Sequence, residues 1–185
     1  STFLTRNGDL EVSGVGGLGA KNLHGVWLDQ STKLTANNGS LNINGVAGSL
    51  GSEMYGVVVE GSHLISDKNI KMLAKSSEGL SANDNIGIKL SDNSSVSAEN
   101  IILNGEGGFI HQEGKSLDGV SIDQTQLTAK NKIKIAGTAG RGAFISRSNG
   151  ISLNKGSDLT ADSIVLHGIG VPDKQPIIPI LETEQ

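Results

Sequence analysis

The sequence predicts an all-β fold, a single-stranded parallel β-helix (β-solenoid) with about 31 residues per coil. Three observations lead there. A glycine opens the same short phrase five times, at Gly25-Val26-Trp27-Leu28, Gly56-Val57-Val58-Val59, Gly87-Ile88-Lys89-Leu90, Gly119-Val120-Ser121-Ile122 and Gly150-Ile151-Ser152-Leu153, in steps of 31, 31, 32 and 31 residues. A period of this size is the signature of a repeat architecture. The apolar residues alternate with period two, the strand period rather than the helix period. Aromatics are only 3% of the chain and glycines number 26 of 185, so the interior has to be built from aliphatic and small side chains.

Each unit carries three phrases. In the first, Val26 and Leu28 point one way and Trp27 the other; the equivalent middle positions Val58, Lys89, Ser121 and Ser152 vary freely, which predicts a buried face and an open one. The second phrase is Leu34-Thr35-Ala36, Leu64-Ile65-Ser66, Val96-Ser97-Ala98, Leu127-Thr128-Ala129 and Leu159-Thr160-Ala161. The third is Leu41-Asn42-Ile43, Ile70-Lys71-Met72, Ile101-Ile102-Leu103, Ile133-Lys134-Ile135 and Ile164-Val165-Leu166. At the start, Leu4-Thr5 and Leu10-Glu11-Val12 match Leu34-Thr35 and Leu41-Asn42-Ile43, so the chain begins inside a unit. Residues 1–170 make about 5.5 coils.

Three strands per coil, stacked at about 4.8 Å, place the aliphatic residues in interior columns, with Gly and Asn at the bends. No coil buries its apolar side alone, so stability comes from neighbours. A β-sandwich of short strands competes, but has no reason to repeat a whole phrase at this interval. Between the third phrase and the next glycine lies a variable, Gly-rich edge in which Leu50, Leu80, Phe109 and Phe144 recur, as a short fourth strand or a plug. Any binding is expected at this edge. Residues 171–185 hold all three prolines and read as an extended tail, either a cap over the end of the rod or a linker.

Composition excludes some classes. The net charge is −4 with lysine and arginine scattered, so no nucleic-acid partner is expected. Cysteine is absent, which removes disulfides and thiolate chemistry. No apolar run is long enough to span a bilayer as a helix. No signal peptide is visible, as in a mature or excised piece.

The phrases Leu34-Thr35-Ala36-Asn37-Asn38-Gly39-Ser40-Leu41-Asn42-Ile43-Asn44-Gly45 and Leu127-Thr128-Ala129-Lys130-Asn131-Lys132-Ile133-Lys134-Ile135-Ala136-Gly137 resemble the haemagglutinin-type repeats of two-partner-secretion exoproteins. These are filamentous haemagglutinins, high-molecular-weight adhesins and contact-dependent growth-inhibition toxins. The resemblance spans most of residues 1–170. It implies a right-handed β-helix, export through an outer-membrane secretion partner, and a place at the bacterial cell surface or outside the cell. The asparagine-proline motifs of the family's secretion domain are missing, which points to shaft or binding region.

Candidate sites are few. Asp29 and Glu60 hold the same unit position on adjacent coils and would suit an acid/base pair or a cation; the bland reading is a solvated turn that favours such residues. The column is broken at Ser91. Trp27 and Tyr55 read as exposed aromatics able to stack on a sugar or anchor a protein, or else to pack over a neighbouring turn. Phe109, His111 and Phe144 sit on the variable edge as further contact candidates. His24, His63, His111 and His167 occupy four different columns, so no metal site is expected. Gly14-Val15-Gly16-Gly17-Leu18-Gly19 matches a dinucleotide fingerprint in form only, since no helix follows. No cofactor and no catalytic residue is expected.

The expected function is a non-enzymatic, monomeric shaft or binding segment of a large secreted exoprotein, touching a host or neighbouring-cell receptor or glycan. The alternatives are a carbohydrate-active β-helix enzyme and a trimeric phage tail-spike segment; the polar outward positions Lys89, Ser121 and Ser152 speak against the latter.

Overall fold

The computed structural model describes residues 1–79 and 82–170. Leu80 and the proline-rich segment 171–185 lie outside the described residues. All regular structure is β, with no helix among the described residues, and every strand pairing is parallel. The chain winds into a β-solenoid of about five turns.

The first phrase stacks through Val26↔Val57, Val57↔Ile88, Ile88↔Val120 and Val120↔Ile151. The second stacks through Leu34↔Leu64, Leu64↔Val96, Val96↔Leu127 and Leu127↔Leu159. The third stacks through Leu10↔Leu41, Leu41↔Ile70, Ile70↔Ile101, Ile101↔Ile133 and Ile133↔Ile164. The main core within these three faces contains Val, Ile, Leu, Met and Ala and no ring. Apolar side chains stacked in register exclude water from the interior, which is the principal stabilising contribution.

The strand Thr2–Thr5 corrects the expected start of the repeat. Phe3 pairs with Leu34, and Leu4 pairs with Thr35. The register is one residue away from the match of Leu4 with Leu34. A slip of one residue exchanges the two faces of a strand, and the 31-residue step already set by Leu10↔Leu41 decides the matter.

The opening glycines serve close approach rather than a left-handed bend. A Cβ on Gly45 would lie 2.0 Å from the Gly56 carbonyl oxygen, and one on Gly56 would lie 2.6 Å from the Lys75 amide nitrogen. The end of the third face and the start of the first therefore touch backbone to backbone. Left-handed residues gather instead at the turn from first to second face: Ser31, Gly61, Asp92, Asn93, Gln124 and Gly156 all have positive φ. Beside that turn runs a buried hydroxyl ladder of Thr32, Ser62, Ser94 and Thr125. Ser62 Oγ donates to the Asp29 carbonyl at 2.8 Å, and Ser94 Oγ to the Ser91 carbonyl at 2.6 Å. These hydroxyls add a second partner to turn carbonyls that also accept from backbone amides, Asp29 from Thr32 and Ser91 from Gly61 and Ser94.

The variable edge is a fourth strand, not a plug. Phe109–Ser116 pairs with Arg141–Arg147 on one side and with Glu78–Gly79 and part of Ala82–Ser91 on the other. Together with the turns before it, this strand forms a lobe with its own small core of Ala47, Met54, Ile110 and Leu117, flanked by Leu23 and Ile145. Leu50, Phe109 and Phe144 do not build that core: they are exposed, and Phe109 pairs with Arg141 while Phe144 pairs with Glu113. Phe109 and Phe144 fall on the outward side of their strands and Ile110 on the inward one, while Leu50 sits at a positive-φ bend outside any strand.

The outward side of the first face is less open than expected. Trp27 is 53% exposed, but Val58, Ser121 and Ser152 are buried. Val58 packs in a buried cluster with Tyr55 and Ile86. Ser121 and Ser152 are short side chains set low in a ladder whose strands are about 4.8 Å apart.

Candidate functional site

Two regions gather the residues able to do chemistry. The first is an aromatic and charged patch on the outward side of the first face. It grows from one column, the residue just before each opening glycine: His24, Tyr55 and Ile86 on successive coils. Side chains in one column are spaced by the coil separation, and the His24 and Tyr55 rings accordingly stack with centroids 4.9 Å apart at 24°. Trp27 meets His24 edge to face at 5.4 Å. Its indole Nε1 donates to Glu60 Oε2 at 3.0 Å across the coil boundary.

Tyr55, expected on the surface, is buried at 5% exposure. It sits where one strand, Glu53–Glu60, feeds both cores, and it packs against Val58 and Ile86. Its hydroxyl donates to Asp84 Oδ2 at 2.8 Å. The Lys89 ammonium lies 4.9 Å from the centre of the Tyr55 ring and 3.5 Å from its oxygen. Burial, reinforced by the Asp84 carboxylate, raises the Tyr55 pKa far above the usual phenol range. Burial lowers that of His24, against the opposing pull of Glu53 and Glu60 and with a minor lowering from Lys89. The Nδ1 atom of His24 is buried with no hydrogen-bond partner among the described residues. The patch therefore holds a neutral imidazole and a neutral phenol at neutral pH, beside three carboxylates (Glu53, Glu60, Asp84) and one ammonium.

Asp29 stands apart from this network. The register that pairs Leu28 with Val59 carries Asp29 and Glu60 to neighbouring coils, but Glu60 is engaged by the Trp27 indole. Asp29 contributes backbone contacts, its carbonyl accepting from Thr32 and Ser62.

The second region is a groove along the variable edge. One stretch of about 390 Å³ is lined by Val15, Val46, Leu73, Lys75 and Glu106. The next, about 420 Å³, shares Val46, Lys75 and Glu106 and continues to Glu78, Phe109 and Arg141. The glycines at 107, 108 and 140 leave its wall without side chains. Lys75 and Glu106 form an exposed ion pair at 3.4 Å. Phe109 packs edge to face on His111 at 4.8 Å, and the His111 ring nitrogen contacts the Glu78 carboxylate. Phe144 is 73% exposed on the adjacent coil.

The structure thus brings Trp27, Tyr55 and Glu60 together, and separately Phe109 and His111. His63 bonds Ser95 at 2.7 Å, away from both regions. Among the described residues no three His, Asp or Glu side chains converge on a metal position. Two contributors escaped sequence reasoning, Asp84 and the partnership of His24 with Tyr55. The signal for the second was present, since both residues directly precede an opening glycine. Lysines that look scattered along the chain also come together: Lys71, Lys132 and Lys134 share a depression on the outer third face with Asn42, Asn69 and Asn100. No protein-family model, curated protein or solved structure matches this chain.

Proposed function

We propose that this β-solenoid is a non-enzymatic, surface-exposed binding segment of a large secreted bacterial exoprotein, of the adhesin or contact-dependent growth-inhibition toxin type. The parent protein would leave the cell through an outer-membrane partner, and the rod would hold its contact residues at a distance from the cell that carries them. The observation that supports this reading is the continuous groove along the variable edge, with Phe109 in its wall. A long, shallow cleft with an aromatic wall and mixed charges suits an extended ligand such as a cell-surface glycan or receptor segment. Its carboxylates Glu78 and Glu106 are engaged by His111 and Lys75, which favours binding over acid/base turnover.

The test is binding of the isolated rod to host and neighbouring bacterial cells. Loss of cell binding in Phe109→Ala, with the circular-dichroism spectrum unchanged, is the expected outcome. Cleavage of a polysaccharide by the wild-type rod would replace this reading with the enzymatic one. Replacing the whole of 105–118 is a poor test, because Ile110 and Leu117 belong to the lobe core.

A further inference from the structure

We propose that the Trp27 and Glu60 patch is a receptor for an arginine side chain presented by a partner protein. This deepens the reading of the chain as a contact segment by naming the chemistry of one contact, and it uses a surface separate from the Phe109 groove.

Four features lead there. The indole of Trp27 is half exposed, yet it is not free to swing: Glu60 holds its N–H at 3.0 Å and His24 packs against it at 5.4 Å. A pre-positioned ring loses little side-chain entropy when a ligand stacks on it. The carboxylate that fixes the ring edge also lies within reach of a planar group stacked over the ring. The charges around the patch, Glu53, Glu60 and Asp84 against Lys89, sum to a negative field, and Lys89 is directed at Tyr55. Tyr55, Val58 and Ile86 beneath it are buried, so part of the surroundings is of low polarity, which strengthens charge interactions.

The ligand follows from the donor and acceptor balance. Three of the four charged side chains here, Glu53, Glu60 and Asp84, are half-buried carboxylates, which accept only. A sugar presents hydroxyls that both donate and accept, and would leave its acceptors poorly matched. A guanidinium presents five N–H donors and no acceptor. Its plane stacks on an aromatic face while its fork reaches a carboxylate, which an ammonium does less well because it is compact and strongly hydrated.

Trp27 is the only tryptophan of the chain, so its fluorescence reports on this one place. The rod is titrated, to high millimolar concentration, with acetyl-Gly-Arg-Gly-amide, with its lysine and citrulline counterparts, and with a neutral oligosaccharide. We expect saturable quenching by the arginine peptide, binding weaker by about tenfold for lysine, and none for citrulline, whose side chain is neutral. Added salt should weaken the arginine response. Glu60→Gln keeps an acceptor for the indole but removes the charge, and should weaken arginine binding about tenfold without changing the circular-dichroism spectrum. Absence of a saturable arginine response overturns the proposal, as does equal binding of the citrulline peptide. An oligosaccharide response that survives Glu60→Gln assigns the patch to a glycan instead. Cell binding is measured in parallel. Cells bound without an arginine response sink only this inference, whereas an arginine response without cell binding sinks the exoprotein reading and leaves this one standing.

Discussion

Trp27 and Glu60 lie 33 residues apart in the chain, yet the indole N–H of one meets the carboxylate of the other at 3.0 Å because the coil places them on adjacent turns. Glu60→Ala should release the ring. Time-resolved anisotropy of the single tryptophan is expected to show added sub-nanosecond rotation, with a stability loss of about 1 kcal/mol or less because the bond is exposed. Unchanged anisotropy would mean that His24 alone fixes the indole.

Tyr55 is the only tyrosine, so tyrosinate absorbance follows it directly. Its folded pKa is raised, so below the unfolded value of about 10 both states hold the proton, and above it only the folded state does. Stability is therefore lost as pH rises beyond that point. Tyrosinate should appear together with the loss of β signal in circular dichroism. Deprotonation while the fold persists would contradict the buried Tyr55–Asp84 pair.

His24 works in the opposite direction. Its folded pKa is lowered, so as pH falls below the unfolded value of about 6.5 the unfolded state takes up a proton that the native state refuses. Its contribution to stability is full above that value and declines on acidification. Urea midpoints measured across this window should fall less steeply in His24→Leu than in the wild type. Glu53, Glu60 and Lys89, the charges facing the ring, are the same in both proteins.

Gly45→Ala should cost about 3 kcal/mol or more, because the new Cβ meets the Gly56 carbonyl oxygen at 2.0 Å and neither backbone has room to move. Gly17→Ala is the control. Nothing lies within 4 Å of its Cβ position, and the change should stay within about 0.5 kcal/mol. Thermal unfolding of both variants checks the contrast.

Arg147 reaches the fully buried Asp118 carboxylate at 3.1 Å, while Lys75 and Glu106 pair in solvent. Arg147→Ala leaves a buried charge with the Asn149 amide and the Ser116 hydroxyl as partners, and should cost about 3 kcal/mol. Lys75→Ala should change stability by less than about 1 kcal/mol. Equal losses in the two variants, read from denaturant unfolding, would refute the distinction.

The columns of Val26 and Leu41 were legible because two periods coincide in them. Alternation assigns the inward phase of each strand, and the 31-residue step assigns the coil. Where one of these signals weakens, reading along the chain fails. Phe3 and Leu4 are both apolar, so alternation does not choose between them. The lobe column two residues before each opening glycine runs Leu23, Met54, Asn85, Leu117 and Ser148, and its polar members hide it. Asn85 is nevertheless fully buried, its amide accepting from Ser76 and donating to the Ser77 carbonyl at 2.8 Å. Tyr55 reads along the chain as an exposed aromatic, yet it is buried in a cluster with Val58 and Ile86.

Spacing along the chain sets the solenoid, its three faces and the identity of the main core, since each coil meets only its neighbours. What lies side by side on the outside follows from the folded coils instead. The His24 stack on Tyr55, the Glu60 clasp on Trp27 and the groove beside Phe109 join residues from different coils whose types follow no repeat. Their proximity comes from the coil rise and from how the fourth strand folds against the rod, and neither is written in any single unit.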